Sequence, residues 1–531
     1  MASRKIGRCV AIVARDGGRL AAAILPLWLC AAGAAEEPKM EQATALTIYS
    51  SAAPGAIPPE MYQPAMQQEA QYYGPQSGRN LPGYAVVKQE RSITLEGKRS
   101  VVRFSDVAAR IDPTTVTFAS LTDPAGTSVL EQNYQFDLVS AAKLMERYLD
   151  REVTVEQIRG NEVATFKGTL LSTSGGLTLK GGDGGIVTVQ SYSNVRYPEL
   201  PGGLITKPTL VWDISTDKPG PHRVRVTYQT GGMVWWADYN IVFAEGKDAN
   251  SGTLDVGAWV SILNQSGGSY ADAKLKLIAG EVHRAPQVQV AARGFALDRA
   301  AKAAAPVAGF EEKAFFEYHL YTLGRPTTLP DNSTKQIELF PAARGVPCEK
   351  VLVYYGLPTE FRGFLPSPMT DRNYGTQTNK KVDIYLRFRN AKENGMGMPL
   401  PAGRIRVSKL DPADNTLEFI GEDTIDHTPK DEEVLVKMGS AFDVVGERKQ
   451  IDFKIDTARN WIDETIEIKL RNHKDEPVTV IVKENLYRWV NWKITETTHD
   501  YRKVDARTIE FPVKVEKDGE KTIRYTVHYT W

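Results

Sequence analysis

Three groups of residues in this 531-residue chain have the types and spacing for chemistry: a Ser-x-x-Lys run, paired carboxylates and paired tryptophans. Ser140-Ala-Ala-Lys143 has the spacing at which a lysine activates an acylated serine, and Tyr192-Ser-Asn194 and Lys180-Gly-Gly182 imitate the two companion motifs. Their order is reversed, and the spacing leaves no room for the α/β domain that holds such a site, so Ser140 reads as a helix N-cap. Asp452/Asp456 and Glu464/Glu467 are the carboxylate pairs that could serve as the two acids of glycoside hydrolysis. On alternating strands they read better as a solvated face. Trp235, Trp236, Trp489 and Trp492 are the candidate binding aromatics. Neighbouring strand residues point to opposite faces, so one of Trp235 and Trp236 is free to stack on a sugar or a partner, with core packing as the competing reading.

Other chemistries lack their residues. Histidines 222, 283, 319, 427, 473, 499 and 528 include no His-x-x-x-His pair, so neither a metal nor a cofactor is expected. The run Gly181 to Gly185 is not followed by Lys-Ser/Thr and reads as a hairpin turn around Asp183. No Gly-x-Ser-x-Gly elbow is present, and no catalytic residue is assigned. Lys and Arg number 65 and Asp and Glu 65, a balance without the basic face that a nucleic-acid partner requires. Cys9 and Cys30 lie in the first 35 residues, which leaves Cys348 alone downstream as a small buried hydrophobe.

The elements that must position these residues are nearly all strands. Arg4, Lys5, Arg8, Arg15 and Arg19, then the apolar run Leu20 to Ala32, then Gly33-Ala34-Ala35 form the pattern of a cleaved secretory signal over 1–35. Export to the periplasm or beyond is therefore expected, with no integral membrane segment after signal removal. Residues 36–83, with Pro54, Pro58, Pro59, Pro64, Pro75 and Pro82, read as a disordered linker. Residues 84–137 read as strands that pair with the sandwich that follows. Over 138–203 a short helix, capped by Ser140, precedes five short strands. Curling them into a small SH3-like barrel, similar to the Sm-like type, solves the problem of burying so short a sheet. Residues 204–345, interrupted by the Ala-rich loop 285–308, and 346–531 read as two β-sandwiches. The expected class is all-β: a multidomain sandwich with one small barrel and one short helix.

Several strings in this C-terminal part occur in a familiar order. Trp236-Ala-Asp-Tyr239, Asn264-Gln-Ser-Gly267, Leu277-Ile-Ala-Gly280, Tyr321-Thr-Leu323, Leu329-Pro-Asp-Asn332, Pro399-Leu-Pro-Ala-Gly403 and Phe419-Ile-Gly-Glu-Asp423 together resemble the domain of unknown function 4139 family, part of the mucoidy-inhibitor-like group. The resemblance covers roughly Leu204 to Trp531. It implies an exported β-rich protein and brings no reaction or catalytic residues. Some relatives carry a coiled coil where this chain has its small barrel.

The expected function is that of a non-catalytic, envelope-associated scaffold that binds a protein or glycan partner. Two readings compete with it. One is a hydrolase of envelope polymers. The other is an outer-membrane barrel, because Ile523, Tyr525, Val527, Tyr529 and Trp531 alternate to an aromatic end.

Overall fold

The computed structural model describes residues 43–50, 52–58, 61–62, 81–160, 162–280, 282, 310–315, 318–358, 367–376 and 378–531. Residues 1–35, where a signal is expected, and the Ala-rich stretch 285–308 lie outside these described residues.

Period-two burial organises the chain. In strand Thr209–Thr216, Leu210, Trp212 and Ile214 are each 0% exposed while Val211 and Asp213 between them are partly open. This strand is the centre of a three-stranded sheet, between Arg99–Ser105 and Thr127–Gln135. Its buried face lies on an eight-stranded sheet that includes Gly83–Leu95, Gly220–Gly231 and Ile111–Ser120. The Trp212 ring joins the two layers, 5.1 Å from Phe104 on its own sheet and 5.3 Å from Phe118 on the other. The fold class is thus the expected β-sandwich.

The linker expectation needs correction at its start. Ala43–Ser50 is a strand inside the eight-stranded sheet, parallel to Tyr270–Ala279 and antiparallel to Gly83–Leu95. The cause is local: Leu46 and Ile48, at 1% and 0% exposure, alternate with Thr47 and Tyr49 and fill a slot in the core. Proline content begins to dominate only after this strand.

The division at 345/346 also needs correction. Ser333–Tyr355 is one 23-residue strand running through that boundary. It belongs to a 13-stranded sheet that extends from Leu417–Ile425 through Met233–Glu245, Ser251–Asn264, Lys381–Arg389, Glu433–Asp456 and Trp461–Asn472 to Glu520–Thr530 and Trp492–Thr497. Two cores share this sheet. Along Ser333–Tyr355 the buried side chains pass from the first core at Cys348 to the second at Leu352. Leu386, Phe388, Val434 and Val436 then return to the first. Gln42–Trp531 is accordingly one compact unit.

The short helix runs from Ala141 to Arg147, with the Ser140 hydroxyl accepting from the Lys143 backbone N–H at 3.2 Å. The five short strands form their own sheet in the order Asn194–Arg196, Glu152–Arg159, Glu162–Ser172, Leu177–Lys180, Ile186–Val189. This sheet is open, which corrects the closed barrel: Ile186–Val189 pairs with Leu177–Lys180 and Asn194–Arg196 with Glu152–Arg159. The four residues between the two edge strands turn the chain back onto Glu152–Arg159, where Gln157 donates to the Ser191 carbonyl at 2.7 Å. Val153, Val155, Leu170, Leu177, Leu179 and Val189 still share one small core, against which Met145 and Tyr148 of the helix region pack.

Candidate functional site

The densest set of ionisable side chains is buried in the second core. Arg448, Glu464, Glu484 and Arg488 have side-chain exposures of 2%, 1%, 0% and 0%. Arg448, Glu464 and Glu484 are placed by strand alternation. Glu464 follows Ile462 and precedes Ile466 and Ile468 on the inward face, and Glu484 follows Val478, Val480 and Val482 in the same way. Arg448 continues the inward phase of Val444 and Gly446, while Arg488 lies beyond the end of strand Val478–Asn485, in the run Leu486-Tyr487-Arg488 that is buried throughout.

Charges buried this deeply persist only when paired and hydrogen-bonded. Arg448 Nε donates to Glu484 Oε2 at 2.9 Å, and Arg488 Nη2 to Glu464 Oε1 at 2.9 Å. Tyr525 donates to Glu484 at 2.5 Å and Tyr487 stands 3.3 Å from Glu464. Burial opposes the charge on each arginine, but Glu484 and Glu464 outweigh it and hold both guanidinium groups above their ordinary pKa. Burial first, and then the neighbouring carboxylates, push the Tyr525 and Tyr529 hydroxyls well above theirs. The first pair leaves no room for a larger residue at Gly356, where a β-carbon would sit 2.4 Å from Arg448 Cδ and 2.6 Å from Glu484 Oε1.

Arg488 also reaches the surface through the backbone. Its guanidinium donates to the carbonyls of Met369 at 3.1 Å, Asp371 at 2.8 Å and Tyr374 at 3.2 Å, and lies 3.5 Å from that of Arg372. Arg448 adds the Gly375 carbonyl at 3.2 Å, and Tyr487 that of Tyr374 at 2.9 Å. The segment 367–376 is therefore pinned from below, while Thr370, Asp371, Arg372 and Asn373 are exposed on it.

The arrangement is suited to positioning rather than to acid–base chemistry. Each buried carboxylate is committed to its own arginine. The other acids singled out in the sequence are dispersed: Glu467 pairs with Arg524 at 2.6 Å, Asp452 with Lys454 at 3.0 Å and Asp456 lies 3.8 Å from Arg459. Glu464 and Glu467 point to opposite faces, and Glu464 is a core residue, which corrects the solvated-face reading for that position. The Ser140–Lys143 pair is a helix cap, with Lys143 Nζ directed to Asp137 at 3.3 Å. Among the described residues no group of three or more His, Cys, Asp or Glu is placed to hold a metal ion.

None of the four tryptophans lies open. Trp235 is 3% exposed, its indole N–H on the Ile278 carbonyl at 3.2 Å. Trp236 does face the other way, but Ile57, Leu81, Val234 and Leu263 form a small core there, with the Tyr62 ring 5.7 Å away. Trp489 and Trp492 pack on the second core, and Trp492 donates to the Ala506 carbonyl at 2.8 Å. Among the described residues the exposed tryptophan is Trp259, at 37%. It escaped the sequence reading because it stands alone, without a neighbouring tryptophan.

Several side chains of the C-terminal motif strings tie neighbouring segments together. Tyr239 and Tyr321 donate to the carbonyls of Pro401 at 2.7 Å and Pro399 at 2.9 Å. Asn264, 1% exposed, spends its amide N–H groups on the carbonyls of Gly268 and Pro330, both at 2.9 Å. Asp238 receives Ser261 at 3.1 Å and Arg406 at 3.3 Å. Compared with known proteins, the chain matches no family model and no curated sequence.

Proposed function

We propose that this chain is an exported, non-catalytic, envelope-associated β-scaffold that binds a protein or glycan partner through the 367–376 loop. The observation that supports this most is the Arg488 guanidinium. Besides pairing with Glu464, it donates to the Met369, Asp371 and Tyr374 carbonyls of that loop from inside the core and so presents Thr370, Asp371, Arg372 and Asn373 on a rigid base. Rigidly held loops bind with less ordering cost than free ones. The resemblance to the domain of unknown function 4139 family, with its joint-like motifs, accords with a scaffold.

The buried face of the last strand supports a sandwich over an outer-membrane barrel. Ile523, Tyr525, Val527 and Tyr529 are at most 1% exposed and line the second core, where a barrel would turn such a face to lipid. No described helix is long and apolar enough to cross a membrane.

A photo-crosslinking residue placed at 373 in cells should capture an envelope component. The purified protein should retain that component, and the double variant Arg372→Ala/Asn373→Ala should lose it without a change in unfolding midpoint. Release of soluble fragments from an envelope polymer, abolished by Glu464→Gln, would favour the hydrolase reading instead. Recovery of the intact chain from the cytoplasm with Met1 retained would overturn export.

A further inference from the structure

The hairpin of Gly403–Leu410 and Leu417–Ile425 ends the 13-stranded sheet, and it carries apolar side chains on its solvent face. Ile405 and Val407 face the core at 1% and 0% exposure, so Arg404, Arg406, Ser408 and Leu410 belong to the outward phase. Leu410 stands opposite Leu417 and Ser408 opposite Phe419, which puts Leu410, Leu417 and Phe419 on one outward face. They are 45%, 57% and 60% exposed, where alternation calls for polar groups. Ile420, the extra residue of the bulge that follows Phe419, is exposed as well.

The outer edge of this last strand is covered only at its C-terminal end. There Asp423 accepts the Lys437 backbone N–H at 2.7 Å, and Ile425 joins the first core. Over Leu417–Ile420 no strand pairs with that edge among the described residues. The phase of the ladder determines what the edge presents. Asp411 N–H donates to the Thr416 carbonyl at 2.8 Å, so Leu410 and Leu417 form the next, non-hydrogen-bonded pair. The N–H and C=O of Leu417 therefore point away from the hairpin, and those of Phe419 share their phase. The turn is braced by its own side chains: Ala413 N–H donates to Asp411 Oδ1 and Thr416 N–H to Asp414 Oδ1, both at 2.9 Å. A braced edge with free main-chain groups is a template for strand addition.

The charges select the occupant. Asp411, Asp414 and Glu418 accept from the turn itself, and none has a cationic partner among the described residues. Lys409, beside them, is taken by Glu245 at 2.8 Å. A second copy joined edge to edge would set these acids against their own counterparts, and like charges across a strand pair are destabilising. We infer that Leu417–Ile420 takes up an extended segment of another protein in which apolar residues alternate with Lys or Arg. Its main chain pairs with Leu417 and Phe419, and its apolar side chains extend the outward face of Leu410, Leu417 and Phe419. Its basic side chains fall on the other face, the one that carries Glu418 and Asp411.

Fluorescence anisotropy of a short labelled peptide of alternating Lys and Val, titrated with the purified full-length chain, tests this. Wild type should bind it saturably, and less tightly as salt rises. The same peptide with Glu in place of Lys, or with alternate backbone amides N-methylated, should not bind. Leu417→Pro removes an N–H that faces the free edge, a position where a strand tolerates proline. That variant and Leu417→Thr/Phe419→Thr should each lose about tenfold or more in affinity, with the unfolding midpoint in place. Asp414→Asn/Glu418→Gln should weaken binding and flatten its salt dependence. Absence of saturable binding up to about 0.5 mM chain would overturn the proposal. So would equal binding of the N-methylated peptide, or binding that survives Leu417→Thr/Phe419→Thr. Self-association in sedimentation that this double variant abolishes would give the edge to a second copy. Binding to phosphatidylglycerol vesicles that it abolishes would give the face to lipid. Either result would overturn the assignment of a basic, extended partner.

Discussion

Removing Arg488 alone should be among the most damaging single substitutions in the second core. Arg488→Met leaves the Glu464 carboxyl, at 1% exposure, without its arginine and with the Tyr487 hydroxyl at 3.3 Å as its remaining close polar contact. Stranding one member of a buried ion pair costs about 3–5 kcal/mol. The loop carbonyls released from Arg488 add less, because each net hydrogen bond is worth about 0.5–1.5 kcal/mol and these groups can turn to water. Replacing both partners with apolar residues removes the stranded charge, so Arg488→Met/Glu464→Leu should recover most of the loss. Urea unfolding followed by tryptophan emission reports on this core, since Trp489, Trp492 and Trp531 pack against it. Limited proteolysis separates the two roles: both variants should be cut faster within 367–376, because both lose the anchor, while only the single variant loses global stability. A single variant within about 1 kcal/mol of wild type, or a double variant less stable than the single, would refute this account of the cluster.

Other outcomes follow from the same kind of reasoning. Deleting Tyr529 to Trp531 removes a tyrosine that is 1% exposed, and should lower the stability of the detergent-free protein by at least the roughly 1.5–3 kcal/mol of one large buried side chain; unchanged stability with lost membrane insertion would revive the barrel. Arg225 and then Arg223 hold the Glu90 carboxyl below its ordinary value, so its contribution is present above about pH 4.3 and disappears as pH falls through the lowered value. Glu90→Gln should therefore be less stable than wild type at pH 7 and approach it near pH 3 in urea titrations; a gap independent of pH would count against the pairing. Burial pushes the Cys348 thiol up to about 11, and the residue is 8% exposed, so a thiol reagent at neutral pH should react slowly with native protein and rapidly in urea.

The class of this fold was legible because alternation is local, whereas its sheet order was not. Leu46 and Ile48 show the difference. Their period-two spacing was readable, but pairing with Tyr270–Ala279 depends on a parallel contact 229 residues further along the chain, Ala45 opposite Lys274, and a proline-rich sequence beginning just afterwards pointed towards a tether. The tryptophans failed for a related reason. That Trp235 and Trp236 oppose each other follows from the strand; that Ile57 and Leu81 cover the second face does not. The charge cluster, by contrast, left a local mark that went unused. Glu464 stands in phase with Ile462 and Ile466, Glu484 with Val480 and Val482, and Arg448 with Val444, so each charge sits where the alternation demands an apolar side chain. A charge in core phase must find an opposite charge in the same core, and Arg488, just beyond the strand that carries Glu484, supplies the second base. Which acid meets which base is set by the sheet, and the loop that Arg488 holds is set by backbone carbonyls that carry no sequence signal. The site was therefore detectable as a set of misplaced charges before its geometry was known, while its role as the anchor of 367–376 required the structure.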